Sequence, residues 1–207
     1  MINCTYNPPY SIHYTNEGKT SELFEIITSN NIHLNAYAIH NLLTHITRGV
    51  SFLFSHNIMH RDIKPENIIV RQHGANPCDW TPFLCDFGFS CTFTSPLSSV
   101  RHHREGTQNY RAPEIVLFNQ MTAMADIYSL AITFYAIITK QHPYPEFRSK
   151  REEREQYESS AKTFHKRLAK NSSLLQYNTL IAPMAHCNPR KRPQPVEIEK
   201  QLKYLRP

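Results

Sequence analysis

The stretch NIMHRDIKPENIIV, residues 57–70, decides how this sequence folds. It places an aspartate, a lysine and an asparagine at positions 62, 64 and 67, just before the apolar run IIV. That run predicts a short β-strand, and a second strand is predicted over TPFLCDFG, residues 81–88. Each predicted strand adjoins a loop with polar residues. The sequence therefore predicts a functional site where these two loops meet.

The residues of these two loops fit the requirements of phosphoryl transfer. That reaction needs a carboxylate to orient the attacking hydroxyl, a cation near the phosphate and oxygen ligands for Mg²⁺. Asp62 fits the first role, Lys64 the second, and Asn67 is one metal ligand. Asp86 of the DFG tripeptide, nineteen residues beyond Asn67, is the other. The tripeptide alone is weak evidence, but the order and spacing of all four residues are specific.

The composition describes one globular domain. The chain has 207 residues, of which 40% are hydrophobic and 19% are charged. Its formal net charge of +6 gathers in RHHR (101–104), RSKREER (148–154) and PRKRP (189–193). Because no aromatic residues are interleaved with these charges, we expect no binding to nucleic acid.

Other features bear on the cellular location. The N-terminus has neither a basic region nor an apolar core typical of a signal peptide, and no run of about 18 apolar residues occurs. We therefore expect no membrane association and no secretion. The five cysteines are scattered without C-x-x-C spacing, which favours neither a disulfide framework nor a zinc site. A reducing intracellular location, cytoplasmic or nuclear, is predicted.

Three segments have helical patterns. Ser21 is predicted to be the N-cap of a short helix in SELFEIITSN, and Asn35 that of a longer one in AYAIHNLLTHITRGVSFLFSHN. In TAMADIYSLAITFYAIITK, residues 122–140, apolar residues recur at helical spacing and few charges lie between them. This pattern predicts a largely buried central helix. Residues 89–113 lack periodicity and predict a long loop, and amphipathic helices are predicted after Pro143.

Three further motifs follow in the chain: GTQNYRAPE (106–114), ADIYSL (125–130) and NPRKRP (188–193). With the HRDIKPEN and DFG motifs they resemble the C-terminal lobe of eukaryotic-type serine/threonine protein kinases, from roughly residue 11 to the end. The resemblance implies a mostly α part of an α+β family fold, with short β-strands at the catalytic and magnesium loops. It also implies ATP and Mg²⁺ as cofactors and proteins with Ser or Thr acceptors as partners.

The resemblance divides the chain into segments. Residues 1–15 are similar to the end of the small lobe and the hinge, and residues 16–207 to the large lobe. Within the large lobe, residues 60–67 are similar to the catalytic loop and residues 86–114 to the activation segment. Ile69, by resemblance, lies on the floor of the adenine pocket.

Three residues have structural roles by the same resemblance. Asp126 is similar to a buried aspartate that ties its helix to the catalytic loop. A buried carboxylate must be hydrogen-bonded or paired, and we expect backbone amides of that loop to be the donors. Arg192 is similar to the arginine that pairs with the glutamate of the APE motif, here Glu114.

The predicted acceptor is a serine or threonine hydroxyl. By resemblance, Lys64 together with Thr107 is the pairing expected of serine/threonine kinases. Physically, the lysine can neutralise the transferring phosphoryl group, and the threonine hydroxyl can hold the base in place. Arg61 could bind a phosphate added to the activation segment. The segment has five candidate hydroxyls: Thr92, Thr94, Ser95, Ser98 and Ser99.

The sequence departs from the family pattern before residue 57. It has no G-x-G-x-x-G motif there, nor the strand lysine and helix glutamate that accompany it. We expect weak binding of Mg-ATP by these 207 residues, because the nucleotide would have a floor and no cover. Two interpretations stay open. One is a serine/threonine kinase, with a separately encoded small lobe as a possible partner. The other is an inactive lobe that acts as a decoy or regulator of another kinase.

Overall fold

The computed structural model describes residues 19–100, 106–170 and 172–205. Helices dominate these residues, which confirms the predicted mostly helical fold with a few short strands. The predicted remnant of the small lobe, residues 1–15, lies outside the described residues. So do residues 101–105 of the activation segment, which include the basic run RHHR. No helix in the described ranges has both the length and the apolar character needed to cross a membrane.

The described elements follow a simple order along the chain. The helices are α1 (Leu23–Thr28), α2 (Ala36–Ser55), α3 (Pro113–Phe118), α4 (Met124–Thr139), α5 (Lys150–Lys170), α6 (Asn178–Met184) and α7 (Pro195–Tyr204). The strands are β1 (Lys19–Glu22), β2 (Ile58–Met59), β3 (Ile68–Gln72), β4 (Thr81–Leu84) and β5 (Cys91–Thr92). Short 3-10 turns occur between them, two of which, Pro65–Asn67 and Phe87–Phe89, adjoin the predicted site.

The strands form two small antiparallel sheets. The first has the order β1-β3-β4, and the second pairs β2 with β5. In the first sheet Ile68 lies opposite Leu84, so Asn67 and Cys85 stand side by side where the strands separate. The amide of Cys85 donates to the carbonyl oxygen of Asn67 at 2.9 Å. The two loops predicted to share chemistry are therefore joined by backbone hydrogen bonds.

Helix α4 is the centre of the core. Every residue from Met124 to Ile137 is buried, so no face of the helix meets solvent over that length. This confirms the central helix predicted over residues 122–140, because a helix that is apolar on most faces must be enclosed by its neighbours. The helix ends at Thr139, and its C-cap Lys140 has a left-handed backbone with φ 55°. The Nζ of Lys140 donates to the carbonyl oxygens of Ser29 and Ile32, at 3.1 and 2.8 Å.

The two predicted N-caps have different outcomes. Asn35 caps α2 as predicted, since its side chain accepts a hydrogen bond from the amide of Ala38 at 2.8 Å. The prediction for Ser21 was wrong, because this residue lies in strand β1 opposite Val70. Pairing with β3 supplies hydrogen bonds to the backbone that a cap could not. The predicted loop 89–113 also contains strand β5, which pairs with β2.

Three buried tyrosines join α4 to α5. The hydroxyl of Tyr157 donates to that of Tyr128 at 2.7 Å, and the Tyr128 hydroxyl also contacts the hydroxyl of Tyr144. Burial raises the pKa of Tyr128 to about 12 and also raises the pKa values of Tyr144 and Tyr157. Below pH 10 all three stay neutral and satisfy one another's hydrogen bonds.

The tyrosine cluster predicts a loss of stability at alkaline pH. The folded pKa of Tyr128 exceeds its ordinary value of about 10, so its contribution is complete below pH ~10 and lost as pH rises towards the folded pKa of about 12. Across that window Tyr128 should steepen the fall of the unfolding free energy by about 1.4 kcal/mol per pH unit. Urea unfolding of the wild type and Tyr128→Phe at several pH values measures both slopes. Equal slopes would contradict this account, whatever the stability of the variant at neutral pH.

Candidate active site

The catalytic loop is anchored to α4 by a buried carboxylate. Asp126 accepts hydrogen bonds from the backbone amide of His60 at 2.6 Å and from that of Arg61 at 2.9 Å. Arg61 has a left-handed backbone with φ 73°, so the loop turns sharply where the two amides meet the carboxylate. Burial raises the pKa of the Asp126 carboxyl, and the two amide hydrogen bonds act in the opposite direction.

The ring of His60 links this loop to the end of β4. Its Nε2 lies 2.9 Å from the carbonyl oxygen of Cys85, and its Nδ1 accepts from the amide of Asp62 at 3.3 Å. A neutral imidazole with its proton on Nε2 satisfies both contacts. Sequence reasoning assigned His60 no role, although the residue is fully buried and holds the two loops together.

The carboxylate of Asp62 is surrounded by donors. Its Oδ1 accepts from the amide and the hydroxyl of Thr107, at 2.7 and 2.8 Å. Its Oδ2 accepts from Nδ2 of Asn67 at 2.9 Å. Asp62 is 5% exposed, so these hydrogen bonds and not water fix the direction of the carboxylate. Within the described part of the chain, Oδ2 accepts no second hydrogen bond, although Nζ of Lys64 lies close to it.

Lys64 bridges the two sides of this arrangement. Its Nζ donates to the hydroxyl oxygen of Thr107 at 2.6 Å and lies 3.4 Å from Oδ2 of Asp62. The side chain is about a fifth exposed, so its charge is partly open to a ligand. Asp62 therefore contacts Asn67, Thr107 and Lys64, and Lys64 also contacts Thr107.

Asn67 and Asp86, the predicted metal ligands, lie at the ends of the two loops next to strands β3 and β4. The Nδ2 of Asn67 also donates to the Asp62 carbonyl oxygen at 2.9 Å, which leaves the amide oxygen of Asn67 as its ligand atom. Asp86 has a left-handed backbone with φ 58° and its Oδ1 accepts from the amide of Gly88 at 3.2 Å. Its carboxylate is exposed. Both donor types suit Mg²⁺, so the residues fit the predicted ion.

A metal ion at this position could not rely on protein side chains alone. Within the described residues, no three His, Cys, Asp or Glu side chains lie close enough to hold an ion by themselves. An ion between Asn67 and Asp86 would therefore need further oxygens from water or from a phosphate, which is the usual arrangement for Mg²⁺.

Ile69 lies on the outer face of the first sheet. Its neighbours Ile68 and Val70 are fully buried, whereas Ile69 is half-buried, as the alternation of side chains along a strand requires. It pairs with Glu22 on one side and Phe83 on the other. The adenine contact of Ile69 stays a prediction.

The side chain of Arg61 is buried beside Met121. Its Nε donates to the sulfur of Met121 at 3.0 Å, and the residue is 8% exposed. Met121 in turn forms a β-bridge with Val100, so Arg61 lies beneath the activation segment. It stays a prediction that Arg61 binds a phosphate added to one of the five candidate hydroxyls.

Arg192 and Glu114 form a buried ion pair with two parallel hydrogen bonds. The two terminal nitrogens of Arg192 donate to the two carboxylate oxygens of Glu114, each at 2.7 Å. Arg192 also donates to the carbonyl oxygens of Met124 and His186, both at 2.8 Å. Bidentate pairs with further hydrogen bonds are the buried ion pairs that hold geometry best. This pair fixes the start of α3 against α4.

The sequence matches the family model described as protein kinase domain over residues 4–204. It is 42% identical over 101 residues to the serine/threonine-protein kinase mos of Gallus gallus, which covers 48% of this chain and 27% of that protein. A protein of Acanthamoeba polyphaga mimivirus is 32% identical to this chain over 173 residues, which are 82% of this chain and 58% of that protein. Its name describes it as a candidate serine/threonine-protein kinase. Cyclin-dependent kinase-like 2 of Rattus norvegicus is 36% identical over 113 residues, 54% and 21% of the two chains. None of these three matches spans two thirds of the relative's length.

One interaction at the site was missed by the sequence analysis. Gly106, just before Thr107, has φ +89°, and a Cβ there would lie 2.8 Å from the carbonyl oxygen of Arg61. The carbonyl oxygen of Gly106 accepts two hydrogen bonds from Arg111, from Nε at 3.0 Å and Nη2 at 2.8 Å. The Nη1 of Arg111 donates to Glu153 of α5 at 2.9 Å, and both residues are buried. Glu153 thus holds the segment that orients Asp62.

This chain of contacts predicts that Glu153→Gln destabilises the fold by about 3 kcal/mol, because it leaves the buried guanidinium of Arg111 without its counter-charge. Glu155→Gln is the matched control, since Glu155 pairs with Arg151 on the exposed face of the same helix. It should change the unfolding free energy by less than about 0.5 kcal/mol. Urea unfolding measures the unfolding free energy of both variants. Similar losses in the two would show that the buried pair of Glu153 and Arg111 contributes no more than the exposed pair.

Proposed function

The chain belongs to the protein kinase domain family, and we propose that it transfers the γ-phosphoryl group of ATP to serine and threonine hydroxyls of proteins. The names of two relatives, mos and the mimivirus protein, describe serine/threonine-protein kinases. The observation that carries the proposal is the Asp62 carboxylate, held by Thr107 and Asn67 with Lys64 beside it.

In this proposal Asp62 orients the acceptor and takes its proton. The hydroxyl of the substrate donates to Oδ2, which points its oxygen at the γ-phosphorus. As the oxygen–phosphorus bond forms, the bond to the β–γ bridging oxygen breaks, ADP leaves and the hydroxyl proton passes to Asp62. The hydrogen bonds from Thr107 and Asn67 keep the carboxylate in one orientation throughout.

Lys64 has two tasks in the same step. Its hydrogen bond to the Thr107 hydroxyl holds the lysine next to the base, and its charge faces the phosphoryl group as negative charge shifts to the leaving oxygen. The pairing of Lys64 with Thr107, which by resemblance is expected of serine/threonine kinases, supports serine or threonine acceptors.

Asn67 and Asp86 are the residues proposed to hold Mg²⁺. When bound, the ion would neutralise phosphate charge. The hydrogen bond between the Cys85 amide and the Asn67 carbonyl keeps the two ligand-bearing loops at a fixed separation. The outer face of Ile69 is proposed to contact the adenine ring.

The test is Asp62→Asn, which keeps the size of the side chain but removes its basicity. Transfer from radiolabelled ATP to myelin basic protein should fall by about 10²- to 10⁴-fold. Asp79→Asn, at an exposed aspartate of a surface turn, is the control and should leave the rate unchanged. The wild-type product should contain phosphoserine and phosphothreonine without phosphotyrosine.

Two results would contradict the proposal. Equal rates for Asp62→Asn and wild type would remove Asp62 from the reaction. A wild-type chain that transfers no phosphate, yet binds tightly to an intact kinase in a pull-down with purified components, would instead support the decoy or regulator.

A further inference from the structure

A groove with a volume of about 460 Å³ lies away from the candidate active site, between the end of α4 and the C-terminal half of α5. Its lining residues are mostly long and polar. They are Tyr135, Gln141, Thr163, Lys166, Arg167 and Lys170. The volume falls within the range of about 300 to 1,000 Å³ typical of ligand sites.

The cations of the groove come from one face of α5. Thr163, Lys166, Arg167 and Lys170 follow the spacing of three, four and seven residues that places side chains side by side on a helix. The Nη1 of Arg167 donates to the carbonyl oxygen of Pro143 at 3.0 Å, which fixes its guanidinium at the wall. Lys166 and Lys170 are exposed.

The segments of the sequence that line the groove lack carboxylates. The sequence has no Asp or Glu from Ser159 to Val196, and none from Ile127 to Pro145. Glu158 precedes Lys166 by eight residues, about 12 Å along a helix, which exceeds the screening length of about 8 Å at physiological salt. Among the described residues, neither Lys166 nor Lys170 has an ion-pair partner.

We propose that this groove binds an acidic peptide segment of a partner protein. Lys166 and Lys170 lie four residues apart, which separates them by about 6 Å along the helix axis. Alternate residues of an extended peptide are about 6.6 Å apart on the same side. Two acidic side chains separated by one residue can therefore meet both lysines at once.

Other anionic partners fit the groove less well. Its one aromatic ring, that of Tyr135, is buried and cannot stack on a base, as proteins that bind single-stranded nucleic acid require. The lining has no exposed apolar side chain to insert into a lipid surface, as helices that lie on membranes do. The proposed binding needs neither nucleotide nor phosphoryl transfer, so it is independent of the proposed function.

The test uses a fluorescein-labelled hexapeptide that alternates glutamate and serine, with fluorescence anisotropy as the readout. The variant Lys166→Ala/Lys170→Ala should bind about fivefold more weakly than wild type, as expected for the loss of two solvent-exposed ion pairs. The matched control is Lys200→Ala/Lys203→Ala, which removes two exposed lysines from α7 and should bind like wild type. Far-UV circular dichroism checks that both variants are folded.

Several outcomes would overturn the proposal. Equal weakening in both variants would mean that the peptide responds to the net charge of the protein and not to the groove. Absence of peptide binding to the wild type, or binding unchanged in Lys166→Ala/Lys170→Ala, would exclude an acidic peptide at this site. Loss of binding to phosphatidylserine vesicles or to single-stranded RNA in that variant alone, with peptide binding intact, would assign the groove to a membrane or to RNA.

Discussion

Two backbone amides that donate to one buried carboxylate set the position of everything at the candidate site. Asp126 is enclosed in the core helix, where an unpaired carboxylate would be costly, and the amides of His60 and Arg61 satisfy it. The left-handed backbone of Arg61 keeps this part of the loop out of any helix or strand. The amides of His60 and Arg61 therefore depend on Asp126 for their hydrogen bonds. The loop and the core therefore depend on each other, and the direction of Asp62 follows from both.

The opposite side of the site depends on anchors of a different kind. Arg111 places a buried guanidinium between Glu153 of α5 and the carbonyl oxygen of Gly106. Arg192 places another between Glu114 of α3 and the carbonyl oxygen of Met124 in α4. These pairs fix the two ends of the segment from Gly106 to Glu114. Thr107 is thereby held against Asp62, so the Asp62 carboxylate is oriented by a residue 45 positions further along the chain.

Secondary structure was predicted correctly from the sequence where the local pattern and the tertiary packing agree. The cap at Asn35 and the enclosed helix α4 follow from residue type and apolar spacing alone. Ser21 also matched a cap pattern, but antiparallel pairing with β3 outweighed the local preference. Propensity carries no information about that pairing, because the partner residue Val70 is 49 positions away.

Contacts between distant side chains could be anticipated only by resemblance. Glu114 and Arg192 are 78 residues apart, and no periodicity relates them. Glu153 lies in the highly charged stretch KREERE and looks like a solvent-exposed residue. A signal was present, however, since Glu153 shares a helical face with Tyr157, Phe164 and Leu168, all of which are buried.

The most direct test of this account is amide hydrogen exchange in the variant Asp126→Asn. The two oxygens of Asp126 each accept from one amide, and asparagine replaces one of these oxygens with an NH₂ group, a donor that cannot accept from the amide facing it. The amides of His60 and Arg61 should exchange about 10 to 100 times faster than in wild type, as expected for the loss of hydrogen bonds to a charged group. Amides within α2, such as those of Leu42 and Leu43, should keep their protection. Unchanged exchange at His60 and Arg61, or faster exchange of equal size throughout the protein, would contradict the claim that Asp126 holds this loop.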